Sequence, residues 1–128
     1  MLTDTAVQQF AEDWIASWNA HDLDRIVSHY APGIVLVSPV AQALLNDPHG
    51  TVRGLVALRA YFKRGLEAYP GLTFTLEGTY RGLGAVVLCY VNHTGRRTAE
   101  VMEFDAQGRV VRVLATYSGV ASPAQPAG

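Results

Sequence analysis

The chain has 128 residues, of which 49% are hydrophobic and 16% are charged, and its formal net charge at pH 7 is −1. This length fits one domain with a substantial core, no apolar run is long enough to span a membrane, and the scattered basic residues argue against a nucleic-acid surface. Cys89 is the single cysteine, which rules out an internal disulfide, and the start Met1 to Ala6 lacks the features of a signal peptide, so we expect a cytoplasmic protein.

The first two predicted elements are helices. The first is predicted from about Asp4 to about Asn19, because apolar residues recur there at three- and four-residue steps and form one stripe. These residues are Val7, Phe10, Ala11, Trp14, Ile15 and Trp18. Asp22 can cap a second, short helix that continues to Tyr30 and is stopped by Pro32-Gly33.

A buried strand, a long connection and a third helix follow. Ile34 to Ser38 is a short apolar run typical of a buried strand. Pro39 to Arg53 is predicted as a long loop. The third helix begins after Gly54 and ends at Pro70-Gly71, with its apolar residues again on one side.

The remaining sequence predicts an antiparallel meander. Its strands are Leu72 to Arg81, Ala85 to His93, Thr98 to Phe104 and Arg109 to Ser118. Helices gathered on one side of a curved antiparallel sheet make an α+β domain. We predict a single domain over residues 1–119 and a disordered tail over the Pro- and Ala-rich residues 120–128.

Four local sequences carry a family resemblance. They are His21-Asp-Leu-Asp24, Tyr30-Ala-Pro-Gly33, Tyr61-Phe62-Lys-Arg-Gly-Leu66, and Val101 to Val110 with Ala115-Thr-Tyr117. Together with the order of elements they resemble the nuclear transport factor 2-like superfamily, in its ketosteroid isomerase and SnoaL-like polyketide cyclase branch. The resemblance implies a cystatin-like fold, in which a cone-shaped, curved antiparallel sheet packs against three N-terminal helices around one apolar cavity.

The resemblance also implies roles for individual residues. In the isomerases of this superfamily a general-base aspartate, a helix tyrosine and a neutral aspartic acid act inside the cone. These roles fall on Ser38, Trp14 and Glu100, and those of two supporting tyrosines fall on Tyr30 and Phe62. Serine cannot be that base and phenylalanine has no hydrogen-bond donor, whereas Glu100 keeps a carboxylic acid. We therefore do not expect steroid isomerisation by the usual route.

Two turns predict that Glu100 points into the interior. A four-residue turn over 105–108 pairs Glu100 with Val113, and a two-residue Thr94-Gly95 turn pairs it with Cys89. Both partners lie on faces that we interpret as the interior, and no lysine or arginine shares that face nearby. Burial without a cation raises the pKa of a carboxylic acid, so we predict that Glu100 is partly protonated near neutral pH.

Two alternatives stay open for Glu100. A slipped register leaves it as a solvated charge. An inward Glu100 can also be a structural acid that is bonded to Trp14 or Tyr30.

The long loop supplies two further candidate catalytic residues, His49 and Asp47. Because the loop should lie near the mouth of the cone, either residue could replace the base that Ser38 lacks. The alternative is an ordinary Pro/Gly turn with polar residues, in which Asp47 forms an Asx-turn.

Ligand-binding residues are expected to line the cavity, since core and ligand wall coincide in a hollow fold. They are Trp14, Trp18, Tyr30, Ser38, Phe62, Cys89, Met102, Val113 and Tyr117. The opposite, convex face of the sheet is predicted to carry Val86, Leu88, Tyr90 and Val101. Such an apolar patch, together with the resemblance, predicts a homodimer.

Three functions remain open at this point. The first is an isomerase, cyclase or lyase that moves a proton on a compact hydrophobic carbonyl compound, with Glu100 as acid or base. The second is a noncatalytic module that binds a small hydrophobic molecule, and the third is an interaction protein with a packed core. No metal or cofactor is expected, because the sequence has no Cys/His cluster with zinc spacing and no Gly-rich phosphate loop.

Overall fold

The computed structural model describes residues 2–119. Its helices are α1 (Asp4–Asn19), α2 (Leu23–Val27), α3 (Pro39–Leu45) and α4 (Leu55–Ala68). Its strands are β1 (Tyr30–Val37), β2 (Thr51–Arg53), β3 (Phe74–Arg81), β4 (Ala85–Asn92), β5 (Arg97–Phe104) and β6 (Val110–Tyr117). The tail predicted over residues 120–128 lies outside the described residues.

The strands form one sheet in the order β2-β1-β6-β5-β4-β3. All neighbouring strands are antiparallel except β1 and β6, which run parallel. Helix α1 packs on β3, α4 packs on β1, and α2 contacts both α1 and α4. The predicted α+β architecture, with N-terminal helices on one face of a mostly antiparallel sheet, is confirmed.

The prediction of a structureless loop from Pro39 to Arg53 is wrong, because the segment contains α3 and β2. Ser38 caps α3 by accepting a hydrogen bond from the Val40 N–H at 3.1 Å, and Pro39 occupies the first turn. Asn46 then ends the helix in the left-handed conformation, with φ of 52°. Residues 2–119 therefore contain four helices rather than the three that were predicted.

The second helix is shorter than expected. Asp22 caps it as predicted, accepting a hydrogen bond from the Arg25 N–H, but the helix ends at Val27. Tyr30 already belongs to β1, which continues through an irregular pairing with β6 before Val35. The strand therefore starts four residues earlier than the apolar run Ile34 to Ser38 indicated.

The two hairpin turns that fix the position of Glu100 share one local pattern, an Asn or Asp followed three residues later by Gly and then by Arg. At 92–96 the Asn92 side chain accepts hydrogen bonds from the N–H groups of Thr94 and Arg96. At 105–109 the Asp105 side chain accepts them from the N–H groups of Gln107 and Arg109. Each turn thus has a three-residue loop with its glycine at positive φ, a common hairpin form. The two- and four-residue turns of the sequence prediction are wrong.

The corrected turns change which side chains are inside. Glu100 pairs with Leu88 on β4 and with Ala115 on β6, not with Cys89 and Val113. On β6 the observed partner differs from the predicted one by two residues, so the same face of that strand stays inside. On β4 it differs by one residue, which exchanges the inner and outer faces. Glu100 is therefore buried as predicted, and Cys89 points to the opposite face.

The same reversal corrects the predicted convex face. Val86, Leu88 and Tyr90 are buried in the core, and of the four residues expected outside, Val101 alone lies there. The observed outer face carries an apolar row that crosses four strands through paired positions. The row consists of Tyr80, Val87, Val101 and Leu114, and Tyr80 and Leu114 are 70% and 48% exposed.

The core lies between the helices and the inner face of the sheet and is rich in aromatic rings. Trp14 is within 6 Å of the rings of Trp18, Phe74 and Tyr90, and Trp18 in turn contacts Phe62. Within residues 2–119, none of the helices has the length and apolarity needed to cross a membrane.

Candidate functional site

Glu100 is the acidic side chain at the centre of the candidate site. It projects from the middle of β5 to the helix-covered face, and it is 4% exposed. The Tyr90 hydroxyl donates a hydrogen bond to its carboxyl group from the neighbouring strand. Burial raises the pKa of Glu100 to about 7, and the hydrogen bond from Tyr90 opposes that rise by stabilising the carboxylate. The carboxyl group is therefore partly protonated and partly ionised near neutral pH.

Four tyrosines surround this carboxyl group closely enough to interact with its charge: Tyr30, Tyr61, Tyr90 and Tyr117. Burial is the largest cause that raises the pKa of each phenol, and the negative charge of Glu100 raises it further. All four hydroxyls thus remain neutral at physiological pH. They can donate hydrogen bonds without becoming ionised themselves.

Ser38 connects the end of β1 with this group of tyrosines. Its Oγ lies 3.2 Å from the Tyr117 hydroxyl and also caps α3. Hydrogen bonding to the same serine tends to lower the pKa of Tyr61, against the larger effect of burial. Gly50 makes this arrangement possible, because a Cβ there would lie 2.5 Å from the Ser38 carbonyl oxygen. The serine is a hydrogen-bonding centre of the site and not a base.

Trp14 and Tyr30 are bonded to each other rather than to Glu100. The Trp14 Nε1–H donates to the Tyr30 hydroxyl at 3.0 Å, and both side chains are buried. The alternative in which Trp14 or Tyr30 bonds the acid is wrong, since Tyr90 does so. Tyr90 escaped the sequence interpretation because the predicted register of β4 placed it outside.

The space beside the carboxyl group is a small enclosed cavity, which we call the Glu100 cavity. It is lined by Trp14, Trp18, Tyr30, Leu36, Ser38, Tyr61, Phe62, Glu100 and Ala115. Its volume is about 10 Å³, close to the smallest space that holds one water molecule. The walls are mostly aromatic and aliphatic, and among residues 2–119 no lysine, arginine or histidine lines the cavity.

A second space, the α3–α4 hollow, adjoins the Glu100 cavity. It also measures about 10 Å³ and is lined by Trp18, Val40, Leu44, Tyr61, Phe62, Gly65, Tyr69 and Leu72. Trp18, Tyr61 and Phe62 line both spaces, and we call these three side chains the partition.

Several of the predicted lining residues do line the Glu100 cavity: Trp14, Trp18, Tyr30, Ser38 and Phe62. Met102 and Val113 are fully buried in the surrounding hydrophobic core, and Tyr117 reaches the site through Ser38. The placement predicted for Cys89 is wrong, because it lies on the outer face of the sheet and is part-exposed. Leu36, Tyr61 and Ala115 were not predicted as lining, although Tyr61 was expected on the buried side of its helix.

His49 and Asp47 lie apart from Glu100. Asp47 accepts a hydrogen bond from the Thr51 N–H at 2.9 Å, four residues further on, so its side chain bonds the backbone of this segment but does not form the Asx-turn of the sequence prediction. His49 is exposed and lines a shallow hollow of about 240 Å³ on another side of Ser38. Neither side chain lines the Glu100 cavity.

Carboxylate, histidine and cysteine side chains do not converge on a metal-binding geometry anywhere in residues 2–119. The chemistry that the site can offer from its own residues is proton transfer by Glu100 and hydrogen bonding by neutral hydroxyls and indoles.

Comparison with known proteins identifies one matching family and several solved structures with the same fold. A family model described as a SnoaL-like domain matches residues 11–118. Among curated proteins none matches the chain significantly. A SnoaL-like protein of unknown function from Burkholderia thailandensis is 40% identical, with 91% of this chain and 98% of that chain covered and a TM-score of 0.88.

Two more distant structures share the fold. One is described as a candidate isomerase of the SnoaL-like family from Agrobacterium tumefaciens, with 18% identity, coverage of 88% and 97%, and a TM-score of 0.70. The other is a nuclear transport factor 2-like protein of unknown function from Burkholderia pseudomallei, with 14% identity, coverage of 87% and 89%, and a TM-score of 0.70. At these identities the likeness concerns the fold and not the activity.

Proposed function

The chain belongs to the SnoaL-like family of the nuclear transport factor 2-like superfamily, and we propose that it binds a compact hydrophobic carbonyl compound and moves a proton on it. Glu100 is the acid or base in this proposal, and the class of reaction is that of an isomerase, cyclase or lyase. The single observation that carries the proposal is the buried Glu100 carboxyl group at the wall of an aromatic cavity.

The protonation of Glu100 supports this role. A general acid or base works best when its pKa lies near the working pH, and the pKa of Glu100 is raised to about 7. The carboxylate form can take a proton from the carbon next to a carbonyl, which leaves an enol or enolate. The resulting carboxylic acid can return that proton to the same or to another carbon, so the enzyme ends in its starting state.

The other polar groups support binding and orientation. The Ser38, Tyr61 and Tyr30 side chains line the cavity and offer hydroxyls to a carbonyl oxygen. Because burial keeps the phenols neutral, they can stabilise developing negative charge as hydrogen-bond donors. No cofactor or metal ion takes part in the proposed reaction.

The size and walls of the cavity limit the substrate. A space of about 10 Å³ cannot hold an organic molecule unless the partition of Trp18, Tyr61 and Phe62 moves. Joining the two spaces favours a compact, mainly apolar compound that enters between α3 and α4. A steroid fits this description poorly.

A noncatalytic binding module is the second candidate function. The observation that favours it is the bonding within the site, where Tyr90 already holds Glu100 and Tyr30 already accepts from Trp14. Such a site could hold a small apolar molecule without reacting with it. Proton exchange on a bound ketone distinguishes the two functions.

We also propose that the chain forms a homodimer through the outer face of its sheet. The apolar row of Tyr80, Val87, Val101 and Leu114 supports this, because helices cover the other face and leave this row open. A homodimer was also predicted from the sequence, but of the four interface residues predicted there only Val101 belongs to the row proposed here.

The test of the catalytic proposal is deuterium exchange into compact ketones. Cyclopentanone and cyclohexanone are incubated with the protein in D₂O, and loss of the α-proton signals is followed by NMR. We expect exchange above the buffer rate, and its loss in Glu100→Gln. Glu103→Gln is the matched control, because Glu103 lies on the same strand with its side chain exposed on the other face. Exchange that survives Glu100→Gln, or that never exceeds buffer, would refute the proposal.

A further inference from the structure

The two tryptophans of α1, Trp14 and Trp18, lie one helical turn apart and differ in the hydrogen bonding of their indole N–H groups. The Nε1–H of Trp14 donates to the Tyr30 hydroxyl at 3.0 Å. The Nε1–H of Trp18 has no hydrogen-bond partner among residues 2–119, although the side chain is 3% exposed. Buried donors without a partner are rare in folded proteins and are destabilising, so this one requires an explanation.

The three rings that pack closely against Trp18 offer no hydrogen-bond acceptor to its N–H. The indole packs against the rings of Phe62, Phe74 and Trp14, with centroids 4.8, 5.6 and 5.9 Å away. Aromatic rings supply dispersion contacts but no oxygen or nitrogen lone pair in the plane of the N–H. The Trp18 indole is therefore packed against three aromatic rings, none of which can accept a hydrogen bond in the plane of its N–H.

Trp18 also has a special position, because it lines both the Glu100 cavity and the α3–α4 hollow. A molecule that joins these two spaces must contact the Trp18 indole. We propose that the Trp18 Nε1–H is the hydrogen-bond donor to an oxygen atom of the ligand. This inference rests on the proposed function insofar as the Glu100 cavity is the ligand site.

The charges around the site define the class of ligand further. Within the described part of the chain no lysine, arginine or histidine lines either space, so an anionic ligand would be buried beside Glu100 without a counter-charge. A cationic group offers no lone pair to an N–H donor. The ligand is therefore an uncharged, compact compound with an apolar body and an oxygen acceptor, such as a ketone, and not a carboxylate, a phosphate or an amine.

Trp18 is a binding and positioning residue in this arrangement. An indole N–H donates a hydrogen bond but does not give up its proton in the physiological range. It would fix the ligand oxygen while Glu100 exchanges the proton on carbon. Loss of the indole donor should consequently weaken ketone binding, and it should also lower kcat because the carbonyl oxygen gains negative charge in the transition state.

The composition of the chain makes a direct test possible. Trp14 and Trp18 are its two tryptophans, so the protein labelled with ¹⁵N gives two indole N–H signals. Trp14→Phe and Trp18→Phe assign them. Cyclohexanone is then titrated into the unaltered protein, with methylenecyclohexane as the hydrocarbon of the same shape and cyclohexanecarboxylate as the anion.

We expect cyclohexanone to move the Trp18 indole proton downfield, because a new hydrogen bond deshields its donor proton. The Trp14 signal should not show a comparable downfield shift, since its donor is already bonded to Tyr30. The hydrocarbon and the anion should leave the Trp18 proton without a downfield shift. In Trp18→Phe the ketone should bind about tenfold more weakly, the usual effect of losing one neutral hydrogen bond.

Two results would overturn the inference. One is a Trp18 signal that stays in place at the highest cyclohexanone concentration that the protein tolerates. The other is an equal downfield shift with methylenecyclohexane. Because the titration uses the unaltered protein, a Trp18→Phe variant that fails to fold does not affect it.

The outcome is separable from that of the proposed function. A downfield Trp18 shift without deuterium exchange supports the donor and refutes catalysis by Glu100. Glu100-dependent exchange with an unmoved Trp18 signal supports catalysis and refutes the donor.

Discussion

Tyr90 donates its hydroxyl hydrogen bond to Glu100 across the β4–β5 ladder, where Tyr90 faces Thr98 and Glu100 faces Leu88. The two side chains are therefore diagonal neighbours on the inner face, a spacing that a tyrosine spans easily. The bond stabilises the carboxylate, whereas burial destabilises it. The balance between these two effects sets the pKa of Glu100 near neutrality.

Replacing Tyr90 with Phe should raise the pKa of Glu100 above its value of about 7, because the change removes the one hydrogen bond that lowers it. Any activity that needs the carboxylate should then require a higher pH. Titration of the Glu100 carboxyl carbon by ¹³C NMR measures the shift. Tyr80→Phe, at a tyrosine that is 70% exposed on the outer face, should leave the pKa unchanged. A pKa that stays constant or falls in Tyr90→Phe would contradict the assigned role.

Glu100 should make the protein less stable as the pH rises through the weakly acidic range. Its pKa is about 7 in the folded chain and near its ordinary value of 4.5 when unfolded, so the folded state binds more protons between these values. The stabilisation that protonated Glu100 gives the fold is complete below pH 4.5 and is lost progressively up to about pH 7. Above about pH 7 the titration of Glu100 causes no further change in the free energy of unfolding. A pKa shift of this size corresponds to a decrease in the free energy of unfolding on the order of 3 kcal/mol.

Glu100→Gln should remove this dependence, because the amide does not titrate. Urea unfolding at several pH values measures it, with Glu103→Gln as the control for other titrating groups. The free energy of unfolding of Glu100→Gln should exceed that of the control increasingly from pH 4.5 to 7. Parallel pH profiles of the two variants would show that Glu100 is not desolvated.

The unaltered chain should not isomerise Δ5-3-ketosteroids at a meaningful rate. Ser38 cannot act as the base, and the Glu100 cavity of about 10 Å³ is far too small for a steroid. Steady-state absorbance of the conjugated product decides this. Turnover near that of an authentic isomerase would mean that another group supplies the base.

Ser38→Asp should increase isomerase activity on the compact substrate cyclohex-3-enone. Aspartate can keep the cap on α3 and adds a carboxylate at the end of β1. A general base typically contributes ~10²–10⁴-fold, so the gain should be easy to detect. Ser38→Asn keeps a capping oxygen but adds no base, and it should show no gain. Equal rates in the two variants would show that position 38 does not reach the substrate.

The homodimer should dissociate when a charge enters the apolar row. Val101 lies at its centre, paired with Val87 on one side and Leu114 on the other. We expect a dimer at micromolar concentration by sedimentation velocity, and a monomer for Val101→Lys, because the lysine would be buried without a partner. Val56→Lys, at an 88% exposed position on α4, should remain dimeric. A monomeric parent chain would refute the proposed interface.

Much of the architecture could be predicted from the sequence, because local signals determine it. The apolar stripe of α1 and the Asp22 cap of α2 lie within a few residues of the structure that they specify. The signals for α3 were also local, with Ser38 before Pro39 at its start and Asn46 at its end, but they stood in a segment that was interpreted as a loop. The inward position of Glu100 was predicted correctly from a register that was two residues in error on β6.

The members of the site depended on tertiary structure. A strand exposes alternate side chains on alternate faces, so an error of one residue at the 92–96 turn exchanged Tyr90 for Cys89 in the predicted interior. The Asn92 side chain decides that register through hydrogen bonds that no apolar pattern reveals. The contacts of Trp18 likewise join α1 to α4 and β3, and its unpartnered N–H among the described residues follows from packing between distant segments. The sequence alone thus determined most of the elements and the burial of one acid. The partner of that acid and the shape of its cavity were decided by the tertiary structure, because both arise between segments far apart in the chain.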